Sequence, residues 1–295
     1  MFPGFTQRRS SGGIAYVQAG SGHPVLLLHG FPQTHVAWHR VAPRLARRFT
    51  VVAADLPGYG ESRVQIPAYS KREIGQALVR FMRGLGFERF ALIGHDRGAR
   101  VAYRMALDSR EAVSHLAVLD IVPTLDVAEA MSYDLALEMA NWFILAQPAP
   151  FPESLIAADP DFYISHVLDA WAGKAGVISD EARNAYTTPF RSADVRRAVC
   201  EEYRAAAGID LEHDRADRAA ARRIECPVLS LWSARDIAGR YFEPLGVWQR
   251  WATRVSGHPV DAGHFLMEEA PDAIADALER FLPKASAVAP RSPSI

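Results

Sequence analysis

The stretch that indicates how this chain folds is IGHDRG at residues 93–98. An apolar run at 90–93 leads into it and a helical pattern follows from Gly98, so the stretch predicts a tight turn from a strand into a helix. Such a turn strains its central residue, Asp96, and the glycines on either side let neighbouring segments approach closely. The pattern G-x-D-x-G places aspartate where a nucleophile elbow has serine. We therefore interpret Asp96 as a nucleophile, and a helix N-cap aspartate is the alternative that the motif alone leaves open.

The rest of the chain alternates short apolar runs with longer amphipathic stretches. This alternation is typical of the α/β class, in which a mostly parallel sheet carries helices on both faces. A hairpin before Gly20 is expected to precede the parallel strands. Strands are predicted at 25–28, 50–54, 90–93, 116–119, 228–232 and 254–256, and helices at about 71–84, 98–108 and 270–281.

The alternation stops between residue 123 and about residue 225. This segment is helix-prone and rich in aromatic residues, with a proline cluster at 147–152. We interpret it as a helical cap at 123–225 that is inserted between two parts of the core, at 1–122 and 226–284. The tail at 285–295 is predicted to be disordered.

Composition limits the kind of ligand. The 295 residues are 49% hydrophobic and 23% charged, and the net charge of −1 gives no general attraction to nucleic acid or anionic membranes. Cys200 and Cys226 lack metal-ligand spacing, no stretch is long and apolar enough to cross a bilayer, and no signal segment is visible. We expect a cytoplasmic protein that acts on a small molecule, without a metal or other cofactor.

Two further motifs supply partners for Asp96. HGFP at 29–32 follows the third predicted strand, where the backbone amides of Phe31 and Arg97 are expected to surround one carboxylate oxygen as an oxyanion hole. DAGHF at 261–265 follows the last predicted strand and presents His264 as a general base.

Two carboxylates compete to orient His264. Asp120 ends the strand at 116–119, and Asp236 follows the strand at 228–232. Both lie between nucleophile and histidine in the chain, the order expected for such a triad. We favour Asp120 because it directly follows its strand.

Five segments together resemble the fluoroacetate dehalogenases, a haloacid-specific branch of the α/β-hydrolases. They are GHDRGAR at 94–100, LDIVP at 119–123, NWFILAQP at 141–148, EYRA at 202–205 and GHF at 263–265. The resemblance covers nearly the whole chain. It implies the α/β-hydrolase fold with a cap, a homodimer, and Asp96, Asp120 and His264 as the catalytic triad.

The resemblance also implies a substrate site. Arg97 and Arg100 would bind the substrate carboxylate. They lie three residues apart at the start of a predicted helix, so they share a face. A guanidinium group can donate two parallel hydrogen bonds to a carboxylate. Trp142 and Tyr203 would bind the departing halide. Asn141 stands where the family has histidine. Because an amide cannot become cationic, we expect chloride to be preferred over fluoride.

The expected reaction is hydrolysis of a short 2-haloacid, of the haloacetate type, to the 2-hydroxy acid. Aspartate is ionised at neutral pH and can attack carbon directly, and His264 would then activate water to hydrolyse the resulting ester. An epoxide hydrolase would share this nucleophile and use Tyr203 with Tyr133, Tyr163 or Tyr186, although an uncharged epoxide does not need Arg100. A non-catalytic ligand-binding protein is a further alternative, which the intact nucleophile and base disfavour.

Overall fold

The sheet at the centre of the molecule has eight strands in the part of the chain that the computed structural model describes, residues 1–283. They are β1 Thr6–Arg9, β2 Ala15–Ala19, β3 Pro24–Leu28, β4 Thr50–Ala54, β5 Phe90–His95, β6 Val113–Leu119, β7 Val228–Ser233 and β8 Val255–Val260. The order across the sheet is β1-β2-β4-β3-β5-β6-β7-β8. Strands β1 and β2 form the predicted antiparallel hairpin, and all strands from β4 to β8 in this order pair in parallel.

Fifteen α-helices accompany the sheet within residues 1–283. Outside the stretch between β6 and β7 they are α1 Ala42–Leu45, α2 Lys71–Gly84, α3 Asp96–Asp108, α12 Ile237–Tyr241, α13 Pro244–Trp251, α14 Leu266–Glu269 and α15 Pro271–Phe281. Between β6 and β7 lie α4 Thr124–Glu129, α5 Tyr133–Glu138, α6 Ala140–Leu145, α7 Phe151–Ala158, α8 Pro160–Trp171, α9 Asp180–Thr187, α10 Ala193–Ala207 and α11 Ile209–Ala219. Short 3₁₀ turns occur at His35–Trp38 and Thr188–Arg191.

Alternating residues of the strands build two apolar layers. Leu26 and Leu28 of β3 pack with residues of α2, α3 and α13, whereas Val25 and Leu27 pack with residues of α1 and α15 on the other face. The period of two follows from the pleat of a strand. The predicted α/β-hydrolase fold, a mostly parallel sheet with helices on both faces, is therefore confirmed.

Most predicted elements agree closely with the observed ones, and the last strand is the exception. The apolar pattern ended it at residue 256, but β8 continues through Gly257, His258 and Pro259 to Val260. His258 and Pro259 are exposed because β8 is an edge strand, and an edge strand tolerates proline, whereas Val260 is buried in the core. The predicted tail at 285–295 lies outside the described residues. No helix among residues 1–283 is long and apolar enough to span a membrane.

A buried ionic cluster joins the helices of the 124–219 segment to the core. Glu202 of α10 accepts hydrogen bonds from Nε and Nη2 of Arg97 at 2.8 and 2.7 Å, and it pairs with Nζ of Lys71, which also contacts Asp210 at 3.2 Å. All four side chains are at most 3% exposed. Buried charges of this kind contribute only as a set, because the loss of one partner leaves another charge uncompensated.

We therefore predict that Glu202→Gln lowers the free energy of unfolding by about 3–5 kcal/mol, the usual cost of breaking a buried ion pair from one side. Urea unfolding of purified protein measures this loss. Glu201→Gln is the matched control: Glu201 is 43% exposed and pairs with Arg204, so its loss should be below about 1 kcal/mol. Equal losses of unfolding free energy in the two variants would contradict a specific contribution of Glu202 to stability.

Candidate active site

Asp96 occupies the turn that the sequence predicts. Strand β5 ends at His95, helix α3 begins at Asp96, and Asp96 has a positive φ of 44°. A Cβ at Gly94 would lie 2.5 Å from the carbonyl oxygen of Gly98, and one at Gly98 would lie 2.4 Å from that of His29. Both glycines are therefore required by the close approach of backbone segments, and the strained turn projects the carboxylate of Asp96 from the end of the sheet.

The loop after β3 holds one oxygen of this carboxylate. The Phe31 N–H donates to Oδ2 of Asp96 at 3.0 Å, and a Cβ at Gly30 would lie only 2.7 Å from that oxygen. His29 fixes the loop, since its Nε2 accepts from the Leu56 N–H at 3.0 Å. The second predicted donor, the Arg97 amide, makes no hydrogen bond to the Asp96 side chain in residues 1–283. Oδ1 of Asp96 is thus the oxygen left to attack.

Opposing effects set the ionisation of Asp96. Burial disfavours the charged form, but the charges of His264 and Arg97 outweigh it and hold the pKa of Asp96 below its usual value. The group is therefore a carboxylate at neutral pH, as a nucleophile requires.

His264 contacts both carboxylates that the sequence left in competition. Its Nδ1 lies 2.8 Å from Oδ2 of Asp120 and 3.0 Å from Oδ2 of Asp236. Its Nε2 has no hydrogen-bond partner in the described residues and is the nitrogen that a base would use. Burial opposes protonation of the imidazole, yet the hydrogen bonds to Asp120 and Asp236 raise the pKa of His264 well above its usual value.

Neighbouring groups fix the position of this histidine. His95 Nε2–H donates to the His264 carbonyl at 2.7 Å, and burial lowers the pKa of His95 to about 3, which keeps it neutral. The His264 N–H donates to the carbonyl of Trp171 in α8 at 3.1 Å, and the Trp171 ring stands edge-on to the imidazole with 5.3 Å between centroids. His264 is therefore positioned by contacts with His95 from the end of β5 and with Trp171 from α8.

The two predicted carboxylate-binding arginines differ in their surroundings. The Arg97 guanidinium is bound to Glu202, as described above, and only its Nη1 lacks a partner. Arg100 donates from Nη1 to the Val122 carbonyl and Thr124 Oγ1 at 3.1 and 3.0 Å, has no acidic partner among the described residues, and leaves Nε unpaired. Burial and the charge of Arg97 lower the pKa of Arg100. Arg100 is thus a buried cation that feels the charge of Asp96 but makes no ion pair with an acid in the described residues.

Aromatic side chains from the 124–219 segment cover these arginines. The Trp142 ring lies 4.4 Å from the Arg100 guanidinium, and the Tyr203 ring lies 4.0 Å from that of Arg97. The Tyr203 hydroxyl is buried and has no hydrogen-bond partner within residues 1–283, and burial raises the pKa of Tyr203 well above its usual value, so it keeps its proton. Tyr163 O–H donates to Oδ1 of Asn141 at 2.9 Å, which leaves the Asn141 NH₂ group to donate elsewhere.

One cavity brings most of the predicted residues together. It has a volume of about 510 Å³, and its lining includes Asp96, Arg100, Asp120, Asn141, Trp142 and His264. Phe31, Arg97 and Tyr203 do not line it, but each contacts Asp96 or Trp142. A larger cavity of about 720 Å³ near the N-terminal strands contains none of the predicted residues, so volume alone would not have located the site.

Asp120, Asp236 and His264 also have the spacing of a metal site, since their ligand atoms lie within 4.8 Å of one another. Hydrogen bonds from Nδ1 to both carboxylates account for this closeness without an ion. Among residues 1–283 no other such group of histidine, cysteine and acidic side chains occurs.

Sequence reasoning missed two residues that shape the site. Glu202 directly precedes Tyr203 in a quoted segment, and that position is the one indication that the sequence offered, because Glu201 and Arg204 beside it are also charged. Trp171 had no such indication, because its contact with His264 uses a backbone carbonyl.

Comparisons with known proteins agree with the fold and the motifs. The family model described as the alpha/beta hydrolase fold matches residues 23–271. A fluoroacetate dehalogenase from Burkholderia sp. is 40% identical over 291 residues, 96% of this chain and 95% of the relative. A soluble epoxide hydrolase from Corynebacterium sp. (strain C12) is 32% identical, over 91% of this chain and 93% of its own. The crystal structure of a proposed alpha/beta hydrolase from Nostoc sp. PCC 7120 superposes with a TM-score of 0.92 at 45% identity, over 95% of this chain and 99% of that one. The chain thus belongs to the α/β-hydrolase family, and its predicted resemblance to the fluoroacetate dehalogenases is confirmed.

Proposed function

We propose that this hydrolase removes the halogen from a short 2-haloacid and releases the 2-hydroxy acid. The observation that carries the proposal is Arg100, a buried cation without an acidic partner in the described residues, in the same cavity as Asp96. Burying an uncompensated charge is costly, and an anionic substrate would compensate it. A carboxylate bound by Arg100 places the neighbouring carbon of a 2-haloacid beside the nucleophile.

In the first step Oδ1 of Asp96 attacks the carbon that bears the halogen. The oxygen electron pair forms the new C–O bond, and the electrons of the carbon–halogen bond leave with the halide. Trp142 Nε1–H, Tyr203 O–H and the NH₂ group of Asn141 are the donors that would solvate this halide. The product of the step is an ester of Asp96.

In the second step water attacks the ester carbonyl carbon of Asp96. His264 Nε2 takes the water proton, and the Phe31 N–H stabilises the negative charge that develops on Oδ2. Collapse of the intermediate breaks the bond from that carbon to Oδ1, and the departing alkoxide takes the proton from Nε2. Asp96 is left as a carboxylic acid that carries the second water proton, and it releases this proton to solvent because its pKa is low; the carboxylate is regenerated and the 2-hydroxy acid leaves. Asp120 orients the imidazole in this proposal.

Epoxide hydrolysis is the second candidate, and the relationship to an epoxide hydrolase together with the unpaired Tyr203 hydroxyl supports it. The tyrosines considered as its partner are engaged or distant. Tyr133 is 79% exposed, Tyr186 O–H is bound to Glu268, and Tyr163 O–H is bound to Asn141. A single available tyrosine and a buried Arg100 favour the haloacid.

Exposed apolar side chains on α5 to α8 support a homodimer as part of the proposal. They are Tyr133, Leu137, Phe143, Phe151, Leu155 and Phe162. Large exposed apolar side chains in one region are typical of surfaces that associate.

We predict that His264→Gln forms the ester with chloroacetate but does not hydrolyse it, because Asp96 needs no base for its attack. Intact-protein mass spectrometry should show one added carboxymethyl group, and peptide mapping should place it on Asp96. Asp96→Ala should show none. A His264→Gln protein that binds chloroacetate and stays unmodified would contradict the ester mechanism.

We predict that Arg100→Gln lowers kcat/KM for chloroacetate roughly ten- to a hundredfold, the range expected for loss of a charged hydrogen bond. Chloroacetamide, which is neutral, should be a poor substrate for the parent and change little in the variant. Arg235→Gln is the control, because Arg235 also lines the cavity but is exposed and paired with Asp261 at 2.6 Å. A parent that hydrolyses a simple epoxide faster than chloroacetate would overturn the haloacid assignment.

We predict that the parent releases chloride from chloroacetate faster than fluoride from fluoroacetate, and that Asn141→His shifts the ratio toward fluoride. Fluoride is small and strongly hydrated, so it depends more on a charge-assisted donor, and one such bond corresponds to about ten- to a hundredfold in rate. Ion-selective electrodes measure both halides. An unchanged ratio in Asn141→His would exclude position 141 as the determinant of halide choice.

A further inference from the structure

His264 has two orienting acids where a catalytic triad needs one. Asp120 follows β6, and Asp236 follows the neighbouring strand β7 and precedes α12. Their Oδ2 atoms lie 2.8 and 3.0 Å from the same Nδ1. Both contacts are within hydrogen-bonding distance, so geometry alone does not make one acid the partner and the other a bystander.

Each acid is held in place independently of the imidazole, and Ser233 supports both. The Ser233 N–H donates to Oδ1 of Asp120 at 2.8 Å, and the Asp120 N–H donates to the Leu231 carbonyl at 2.8 Å. The Asp236 N–H donates to Ser233 Oγ at 3.0 Å, while that hydroxyl donates to the Ala262 carbonyl at 2.6 Å. The carboxylate of Asp120 and the backbone of Asp236 are therefore each held by contacts other than the imidazole.

The charges around the pair favour a shared proton. Neither carboxylate has a lysine or arginine partner among the described residues; their only ion-pair partner there is His264. Burial and the adjacent charge of Asp236 raise the pKa of Asp120 to about 7. Burial also opposes ionisation of Asp236, but its hydrogen bond with His264 lowers the pKa of Asp236 below its usual value. Asp236 is therefore ionised at neutral pH, whereas Asp120 keeps a proton to a higher pH than an ordinary aspartate does.

We propose that Asp120 and Asp236 are joint positioning residues for His264, either of which accepts the Nδ1–H and both of which stabilise the imidazolium during ester hydrolysis. The role rests on the proposed function of His264 as the base that activates water. When Nε2 takes the water proton, Nδ1 keeps its own hydrogen and the positive charge faces the carboxylate pair. The proton between the two acids stays there, and the proton on Nε2 returns to the departing alkoxide.

The pair also sets the pH at which the base works. The charged and titratable groups around the imidazole are Asp120 from β6, Asp236 ahead of α12, and His95 and Asp96 from the turn between β5 and α3; α8 contributes the uncharged Trp171. Because His264 acts as a base only when neutral, hydrolysis gains rate as the pH rises through its raised pKa. Removal of either carboxylate takes away a stabilising partner of the imidazolium, so this rise should move to lower pH.

The test compares Asp120→Ala, Asp236→Ala and the double variant in single-turnover reactions with chloroacetate. Formation of the Asp96 ester should be nearly unchanged in all three. Its hydrolysis should slow by roughly tenfold or less in each single variant, and by about 10³–10⁴ in the double variant, the loss known for an unoriented triad histidine. Asp261→Ala is the matched control, an acid three residues before His264 that is 93% exposed. It should behave as the parent.

NMR titration of the His264 imidazole in the substrate-free protein gives a readout that a packing defect would not produce. Each single variant should lower the pKa of His264, and the double variant should lower it below the usual value for histidine, because burial is then opposed only by the weaker attraction of Asp96. Asp120→Asn and Asp236→Asn preserve side-chain volume and repeat the comparison if an alanine variant does not fold.

The proposal is overturned if one single variant loses as much hydrolysis as the double variant while the other matches the parent. It is also overturned if the pKa of His264 responds to only one of the two acids. If the parent does not act on chloroacetate at all, the proposed function fails, and the titration still decides whether the two acids share the imidazole.

Discussion

A carboxylate that must stay ionised while buried is the constraint on which this site depends. Asp96 sits at a positive φ, in a turn that admits no side chain at Gly94 or Gly98. Burial disfavours its charge, and the structure compensates with the Phe31 N–H and with the positive charges of His264, Arg97 and Arg100. These groups come from different parts of the chain or from different turns of α3. The ionised state of Asp96 therefore depends on several segments that meet at this end of the sheet.

The two arginines beside Asp96 have different tasks because Glu202 pairs with one of them. Arg97 is neutralised by Glu202, and Lys71 and Asp210 complete that cluster with equal and opposite charge. Arg100 has only neutral acceptors. A substrate carboxylate bound next to Asp96 would therefore meet one free cation and not two, which limits how strongly an anion is held in the ground state. Strong ground-state binding would not accelerate the chemistry, because only interactions that strengthen in the transition state do so.

The site residues that lie in a turn after a strand could be predicted from the sequence. The contacts between residues far apart in the chain could not. Asp96, Phe31 and His264 each follow a strand end, and strand ends are visible as apolar runs that stop at glycine or a polar residue. The contact of Arg97 with Glu202 joins residues 105 positions apart, and no local pattern shows which arginine a cap acid will reach. The sequence leaves Asp120 and Asp236 as alternatives, because each follows the end of a strand. Parallel pairing of β6 with β7 puts both carboxyl ends at the same edge, so both acids reach one imidazole.

The same buried contacts connect the stability of the α4–α11 segment to both proposed chemical steps. Trp142 and Tyr203, the proposed halide donors, belong to that segment, and so does the Trp171 carbonyl that accepts from the His264 N–H. Glu269 of α14 accepts from the N–H groups of Gly173 and Gly263 at 3.1 and 2.8 Å, so it ties the chain after α8 to the histidine loop. If this segment lifted from the core, the nucleophile would keep Phe31, but the halide donors and the support of the base would be lost together. Buried ion pairs are a weak source of net stability, yet they penalise any arrangement that leaves one charge unpaired. The cluster around Glu202 therefore favours the single docked position in which the proposed halide donors and the support of His264 are present together.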